Sequence, residues 1–102
     1  MDIRRTPKAR RRVTERVRAN KCLYVDSDGK ECDEPIVTLG LCSGHAVKTL
    51  RELKRESPKV AELSRAELIR QGRMLARGEQ RRLMRPSPIA LVIERVRRDV
   101  SA

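Results

Sequence analysis

The stretch CLYVDSDGKECDEPIVTLGLCSGH, residues 22–45, contains all three cysteines and the single histidine of this 102-residue chain. These residues, Cys22, Cys32, Cys42 and His45, follow the spacing C-x9-C-x9-C-x2-H. Three thiolates and one imidazole form a common tetrahedral ligand set for structural zinc, with no position left open for a substrate. The spacing therefore predicts one structural Zn²⁺. Buried free thiols, a redox switch and an iron–sulfur site are the alternatives.

A bound metal would also add stability to a chain whose side chains can form only a small apolar core. The chain has no Trp or Phe and one Tyr, Tyr24, so its core must be built from smaller aliphatic side chains. Domains of this size often need a metal or a disulfide in addition to their core. Three cysteines cannot all pair within one chain, and nothing in the sequence suggests export, so we expect a reducing, cytoplasmic setting, in the nucleoid or a host cytoplasm.

The local patterns around the ligands predict a small knot followed by a helix. The run DSDGK, with Gly29 available for a positive φ angle, is typical of a hairpin, and Gly40 fits a tight turn before Cys42. From Ser43 the pattern becomes helical, which places Cys42 and His45 in one first turn. The apolar residues of that helix are Ala46, Val47, Leu50 and Leu53. The expected fold class is mainly α with a small zinc-stapled β-hairpin module, an α+β knot of the treble-clef-like or zinc-ribbon-like kind plus amphipathic helices.

The segment CDEPIVTLGLCSGH resembles the small CCCH zinc module that is common in bacteriophage and bacterial proteins, often ahead of HNH-type nuclease domains. The resemblance covers residues 22 to about 51. The first two cysteines are further apart here than in that pattern, and Ala46 stands where an aromatic residue usually follows the histidine. No nuclease is expected, because no histidine remains after His45. The resemblance implies a zinc site of the same four ligands.

Charge divides the chain unevenly. Residues 1–21 carry nine Lys/Arg and two acids, residues 22–45 carry one Lys and five acids, and residues 46–102 carry fifteen Lys/Arg and seven acids. The whole chain has a net charge of +11. Because an acidic zinc module would be repelled by phosphate, we expect it to act as a scaffold for basic segments on either side. The predicted organisation is a basic N-terminal helix or arm (1–21), a zinc module with its following helix (22–56) and a basic helical region (57–102).

The basic residues are mostly arginines, 19 of 25, and arginine is favoured where phosphate or guanine is contacted in a planar, bidentate way. The net charge therefore favours a nucleic-acid partner. A solvated basic surface is the alternative for any single side chain. With one aromatic residue, base stacking cannot dominate, so duplex DNA or structured RNA contacted through phosphates fits better than a single strand, and duplex DNA is the favoured partner. The candidate contact residues are Arg10, Arg11, Arg12, Arg16, Arg18, Arg51, Arg55, Arg81, Arg82 and Arg85.

Cap signals predict helices outside the zinc module. One begins at Thr6 and Pro7 and stops at Asn20, with Ala9, Val13 and Val17 on its apolar face. Another is capped by Ser57 and Pro58 and covers about residues 58–77, with an interruption at Ser64. A last helix begins at Ser87 and Pro88. Its apolar stripe is Ile89, Val92, Ile93, Val96 and Val100. This stripe indicates either a helix docked on the core or a dimer or partner interface.

A shorter resemblance concerns LSRAELIRQG, residues 63–72, which is similar to the start of the second helix of ribbon-helix-helix repressors. It implies a homodimer, although no DNA-reading strand is evident upstream. Together these features predict a zinc-stabilised nucleic-acid-binding protein, a small DNA-binding transcriptional regulator or accessory factor of phage or bacterial origin.

Two alternatives remain open at this stage. One is an adaptor that docks on RNA polymerase or another nucleic-acid machine, and the other is a ribosome-associated RNA-binding protein. An enzyme is not expected, because no catalytic arrangement of side chains is visible and the one histidine is a metal ligand. No apolar run is long enough for a membrane span, so no membrane association is expected.

Overall fold

A computed structural model describes residues 4–84 and 88–101. Its helices are α1 (Pro7–Arg18), α2 (Ser43–Lys54), α3 (Pro58–Arg70), α4 (Glu79–Met84) and α5 (Pro88–Ser101). Within the described residues, β structure is limited to two isolated antiparallel bridges, Val25 with Glu31 and Thr38 with Leu41. The chain is therefore mainly helical, as predicted.

The expected β-hairpins are present only as turns closed by single bridges. Gly29 has a φ of 81°, and the Asp26 carboxylate accepts hydrogen bonds from the backbone N–H groups of Asp28 and Lys30, both at 2.9 Å. The ladder is interrupted at Tyr24, whose N–H bonds to Cys22 Sγ, while the carbonyl of Cys32 accepts from Arg16. The N–H of Leu23 points the other way and bonds to the carbonyl of Gly40 in the second turn. The backbone beside the cysteines thus links the two turns to each other.

Both ends of α1 are capped as the sequence predicted. The Thr6 hydroxyl accepts a hydrogen bond from the N–H of Ala9 at 3.1 Å. At the other end Asn20 has a φ of 57°, and the N–H groups of Asn20 and Lys21 bond to the carbonyls of Val17 and Arg16, respectively. This pattern is a Schellman motif, in which a left-handed residue ends the helix.

The core lies where α1, the two turns and the start of α2 meet. Val13 and Val17, from the predicted apolar face of α1, are 1% and 0% exposed. The other buried members of this cluster are Cys22, Leu23, Leu41, Cys42, Ala46 and Leu75. Two of its eight members are thus metal-ligand candidates, so the core and the cysteine site are one structural unit.

Gly40 is required by this packing. Its φ is 73°, and a Cβ placed there would lie 2.7 Å from both Leu23 Cδ1 and Leu75 Cγ. Its N–H donates to the side-chain oxygen of Gln80 at 2.9 Å. The turn before Cys42 therefore needs glycine both for its backbone angles and for the close approach of two leucines.

The prediction for the third helix was wrong at its end. Ser57 caps α3 and Pro58 begins it, as expected, but α3 runs without interruption through Ser64 and ends at Arg70 rather than near residue 77. Gly72, with a φ of 75°, forms a second Schellman motif. A Cβ at this glycine would lie 3.1 Å from Val13, so the helix ends where it meets α1.

Two pairs of helices pack closely against each other, α1 with α4 and α2 with α3. The pairing of α1 with α4 joins the N-terminal and C-terminal basic segments. In α2, Ala46 is buried, whereas Val47 and Leu50 are 52% and 36% exposed. The apolar stripe of α5 is exposed as well. This stripe therefore does not dock α5 on the core, which was one of the two predicted alternatives.

Candidate metal centre and basic surface

The four predicted ligands reach one point from three different segments. Cys22 follows the end of α1, and Cys32 follows the first turn. Cys42 is the N-cap residue of α2, and His45 lies in the first turn of that helix. Their ligand atoms all lie within 4.8 Å of one another. The structure therefore brings together the full Cys3His set that the sequence predicted.

The distances suit a tetrahedral ion. Nδ1 of His45 lies 3.3 Å from Cys42 Sγ and 3.6 Å from Cys22 Sγ, and the Sγ atoms of Cys32 and Cys42 are 4.0 Å apart. Usual zinc bond lengths give S···N edges of about 3.6 Å and S···S edges of about 3.8 Å in a regular tetrahedron. The donor set and its spacing thus fit Zn²⁺, with the histidine binding through Nδ1.

Backbone N–H groups are already aimed at the sulfur atoms. Cys22 Sγ accepts hydrogen bonds from the N–H groups of Cys42 at 3.2 Å and Tyr24 at 3.5 Å. Burial nevertheless raises the pKa of Cys22 to about 11. Burial acts in the same direction on Cys42, but hydrogen bonds from the N–H groups of His45 and Gly44 and from the other thiols outweigh it and lower its pKa. Because zinc binds the thiolate, metal binding must displace the remaining protons.

Tyr24 holds the histidine ring in place. Its ring stacks on that of His45, with centroids 3.8 Å apart and planes 11° from parallel. The amine of Lys48 lies 3.3 Å from the Tyr24 hydroxyl and 5.4 Å from the ring centroid. Position 46, after the histidine, has an alanine, and the aromatic ring beside His45 comes from Tyr24 in a different segment. Sequence reasoning did not identify this role for Tyr24.

We therefore predict that Tyr24→Leu lowers zinc affinity about tenfold, the usual effect of removing a group that orients a metal ligand. Competition with a chromophoric chelator of known affinity measures this. Tyr24→Phe is the matched control, because it keeps the stacked ring and loses only the hydroxyl, and we expect it to bind zinc like the wild type. Equal affinity of all three proteins would contradict the role assigned to the ring.

Arg16 holds the two ligand loops together. Its guanidinium donates to the carbonyl oxygen of Cys22 at 3.0 and 3.1 Å and also to that of Cys32. It forms ion pairs with Glu31 at 2.6 Å and Asp33 at 3.2 Å, and its side chain is only 11% exposed. Arg16 was predicted to contact nucleic acid, but in this structure it cross-links the peptide groups of two metal ligands.

Arg12 has a similar role one helical turn earlier. It pairs with Glu31 at 3.0 Å and donates to the carbonyls of Gly72 at 2.9 Å and Leu23 at 3.2 Å. Two of the five acids near the cysteines, Glu31 and Asp33, thus pair with arginines of α1, which accounts for part of the acidic character of this segment. The i, i+4 spacing of Arg12 and Arg16, each adjacent to a valine of the apolar face, was the available sequence signal.

A second buried arginine cluster closes the other side of α1. Arg5 pairs with the Glu79 carboxylate through two hydrogen bonds, and these side chains are 9% and 13% exposed. Arg5 also donates to the carbonyls of Ile69 at 2.7 Å and Met74 at 3.1 Å. The same carboxylate accepts from the N–H of Ala76 at 3.0 Å. This cluster ties the N-terminal segment to the start of α4.

The packing of α1 on α4 brings parts of the two densest basic runs to one groove. Arg10 of α1 and Arg82 of α4 both line a cavity of about 480 Å³, together with Arg4 and Thr14. The Arg5–Glu79 pair forms part of its wall. Of the other predicted contact residues, those exposed are Arg11, Arg18, Arg51, Arg55 and Arg81. Arg85 lies outside the described residues.

Comparison of this chain with protein-family models, with curated proteins and with solved structures finds no match. In the part of the chain that the structure describes, no helix combines the length and apolar character needed to cross a membrane. The functional interpretation therefore depends on the site and the surface themselves.

Proposed function

We propose that this chain is a zinc-stapled nucleic-acid-binding protein without catalytic activity, in which one Zn²⁺ held by Cys22, Cys32, Cys42 and His45 fixes a treble-clef-like knot. The knot positions α1, and α1 in turn packs against α4. The zinc itself supplies structure only, because all four positions of its tetrahedron would be filled by protein ligands.

The observation that carries the proposal is the groove between α1 and α4. Arg10 and Arg82 are 72 positions apart in sequence, yet they line the same cavity. Both are exposed, and the carboxylate that lines the same cavity, Glu79, forms its ion pair with Arg5. Exposed guanidinium groups of this kind bind phosphate oxygens well. We infer that the phosphate backbone of a duplex lies along this groove, with DNA favoured over RNA.

The pairing of Glu31 and Asp33 with Arg16 also bears on the adaptor alternative. That alternative needs the acidic segment to be available for a basic partner such as a surface of RNA polymerase. Two of its five acids are instead paired within the chain. This counts against the adaptor alternative for these two acids, and we retain as the proposal a small DNA-binding regulator or accessory factor that acts in the cytoplasm.

The expected result is strong dependence of duplex binding on salt. For about six phosphate contacts, affinity should fall roughly a thousandfold between about 50 and 200 mM salt. Replacing Arg10 and Arg82 by glutamine should reduce the slope of log affinity against log salt by about two. Fluorescence anisotropy with labelled duplex DNA and duplex RNA of the same sequence measures both quantities.

The matched control replaces Lys59 and Arg95, which are exposed and lie on α3 and α5, by glutamine. It changes the net charge equally and should leave the slope unchanged. If both double variants weaken binding equally, net charge rather than the groove determines affinity. Binding that is absent or insensitive to salt would overturn the proposal, and tighter binding to RNA would favour the ribosome-associated alternative.

A further inference from the structure

Within the described residues, the C-terminal helix α5 presents an exposed apolar face. Its residues Ile89, Val92, Ile93, Val96 and Val100 are between 48% and 80% exposed. The α5 helix takes part in neither of the close helix pairs of the fold. We infer that this face binds the same face of a second copy of the chain, forming a homodimer.

The spacing of the face suits helix pairing. Ile89, Ile93, Val96 and Val100 are separated by four, three and four residues, the alternation of a and d positions in a heptad repeat. Branched aliphatic side chains at such positions pack as knobs into the holes of a facing helix. Because the same stripe can serve both partners about a two-fold axis, one helix is sufficient to build the interface.

The area of the face agrees with a weak, reversible dimer. The exposed parts of the five side chains amount to roughly 500 Å² on each copy, at the upper end of the apolar patches that monomers tolerate. Two copies would bury about 1,000 Å² between them, slightly below the usual range of specific interfaces. We therefore expect the monomer and the dimer to exchange at micromolar concentrations.

The charge of α5 favours a second copy over an anionic surface. The helix contains three arginines and two acids, a net charge of +1 in a chain of +11. A helix that binds anionic lipid usually has a polar face rich in Lys and Arg and aromatic or leucine side chains at its apolar boundary. The five described residues of the apolar face are isoleucine and valine, and the helix has no aromatic residue. Self-association is thus opposed by little charge repulsion at α5.

Dimerisation would place two α1–α4 grooves in one particle. If the proposed function is correct, the second groove would bind intramolecularly and strengthen duplex binding without any new contact. The dimer itself does not depend on that function, so the two can be tested separately.

Sedimentation equilibrium of the zinc-loaded chain, at protein concentrations from about 1 to 500 µM, tests the inference. Salt of about 0.5 M removes association bridged by nucleic acid. Val96→Glu places a charge in the interface and should raise the dimer dissociation constant about tenfold or more. Arg95→Gln, one residue away on another face of α5, makes the same change in net charge and should leave the constant unaltered.

A monomer throughout this range would overturn the inference, and so would a dimer that Val96→Glu does not weaken. Co-sedimentation with vesicles of phosphatidylcholine and phosphatidylserine in a 7:3 ratio is the companion measurement. Binding to these vesicles that is lost in Val96→Glu but kept in Arg95→Gln would assign the face to a membrane and reject the dimer. A dimer that dissociates in Val96→Glu alone, together with no vesicle binding, supports it.

Discussion

Removing the metal, or replacing Cys32 by serine, is expected to unfold the region that joins α1 to α2. Cys22 and Cys42 belong to the buried core, and the chain has no Trp or Phe to replace the cohesion that a bound ion supplies. Structural zinc in finger-type peptides contributes roughly 10–16 kcal/mol, more than the total stability of most small domains. Loss of the ion should therefore abolish cooperative folding of this core.

Elemental analysis of the purified chain should find one zinc per molecule. Circular dichroism before and after addition of a chelator should show loss of helical signal, with recovery when zinc is restored. Asp28→Ser is the matched control for Cys32→Ser, because Asp28 lies in the same segment, is exposed and contributes no ligand. A metal-free protein that keeps its helical signal and melts cooperatively would contradict the structural role of zinc.

Glu79→Gln is expected to cost about 2–3 kcal/mol, because it leaves the mostly buried charge of Arg5 without its carboxylate partner. Burial alone would raise the pKa of Glu79, but the hydrogen bonds from Arg5 and from the N–H of Ala76 outweigh it and hold that pKa below its ordinary value. The stabilisation is thus fully present above the ordinary carboxyl pKa and is lost as pH falls through the lowered one. At neutral pH the full effect should be measured.

Urea unfolding of the zinc-loaded proteins at pH 7 compares this variant with the wild type. Glu67→Gln is the matched control. Glu67 pairs with Arg70 on the surface, where both side chains are about half exposed, and its pKa is lowered to about 2 by the hydrogen bonds from Arg70 and Gln71. Solvent screens that pair, so its loss should change stability little. Equal effects of both variants would show that the buried pair has no special structural role.

Several features of this molecule could be predicted because they depend on neighbouring residues. The caps at Thr6 and Ser57 and the stop at Asn20 need only a few positions of sequence, and all three were correct. The end of α3 was also encoded locally, by the glycine of its Schellman motif, Gly72, and the prediction missed that signal. Only the approach of Gly72 to Val13, across 59 positions, could not be read from the sequence. The Arg5–Glu79 pair, 74 positions apart, left no local signal.

The basic residues show more clearly that sequence does not reveal contacts between distant segments. Their number and their preference for arginine indicated a polyanionic partner, but a charged side chain looks alike in sequence whether it binds solvent, phosphate or protein. Arg16 and Arg10 both lie on α1, yet Arg16 is buried against the carbonyls of two ligands, whereas Arg10 lines the groove. Only the packing of α1 distinguishes them.

The sequence by itself determined the candidate ligand set, the starts of α1, α2, α3 and α5 and the excess of positive charge, because each depends on residue chemistry or on spacing along one segment. The tertiary structure alone decided which arginines are structural, that α1 and α4 share one groove, and that the apolar stripe of α5 stays exposed. These outcomes depend on which helix surfaces pack against each other in the folded chain. A one-dimensional pattern shows that a face is apolar or charged, but not what that face will contact.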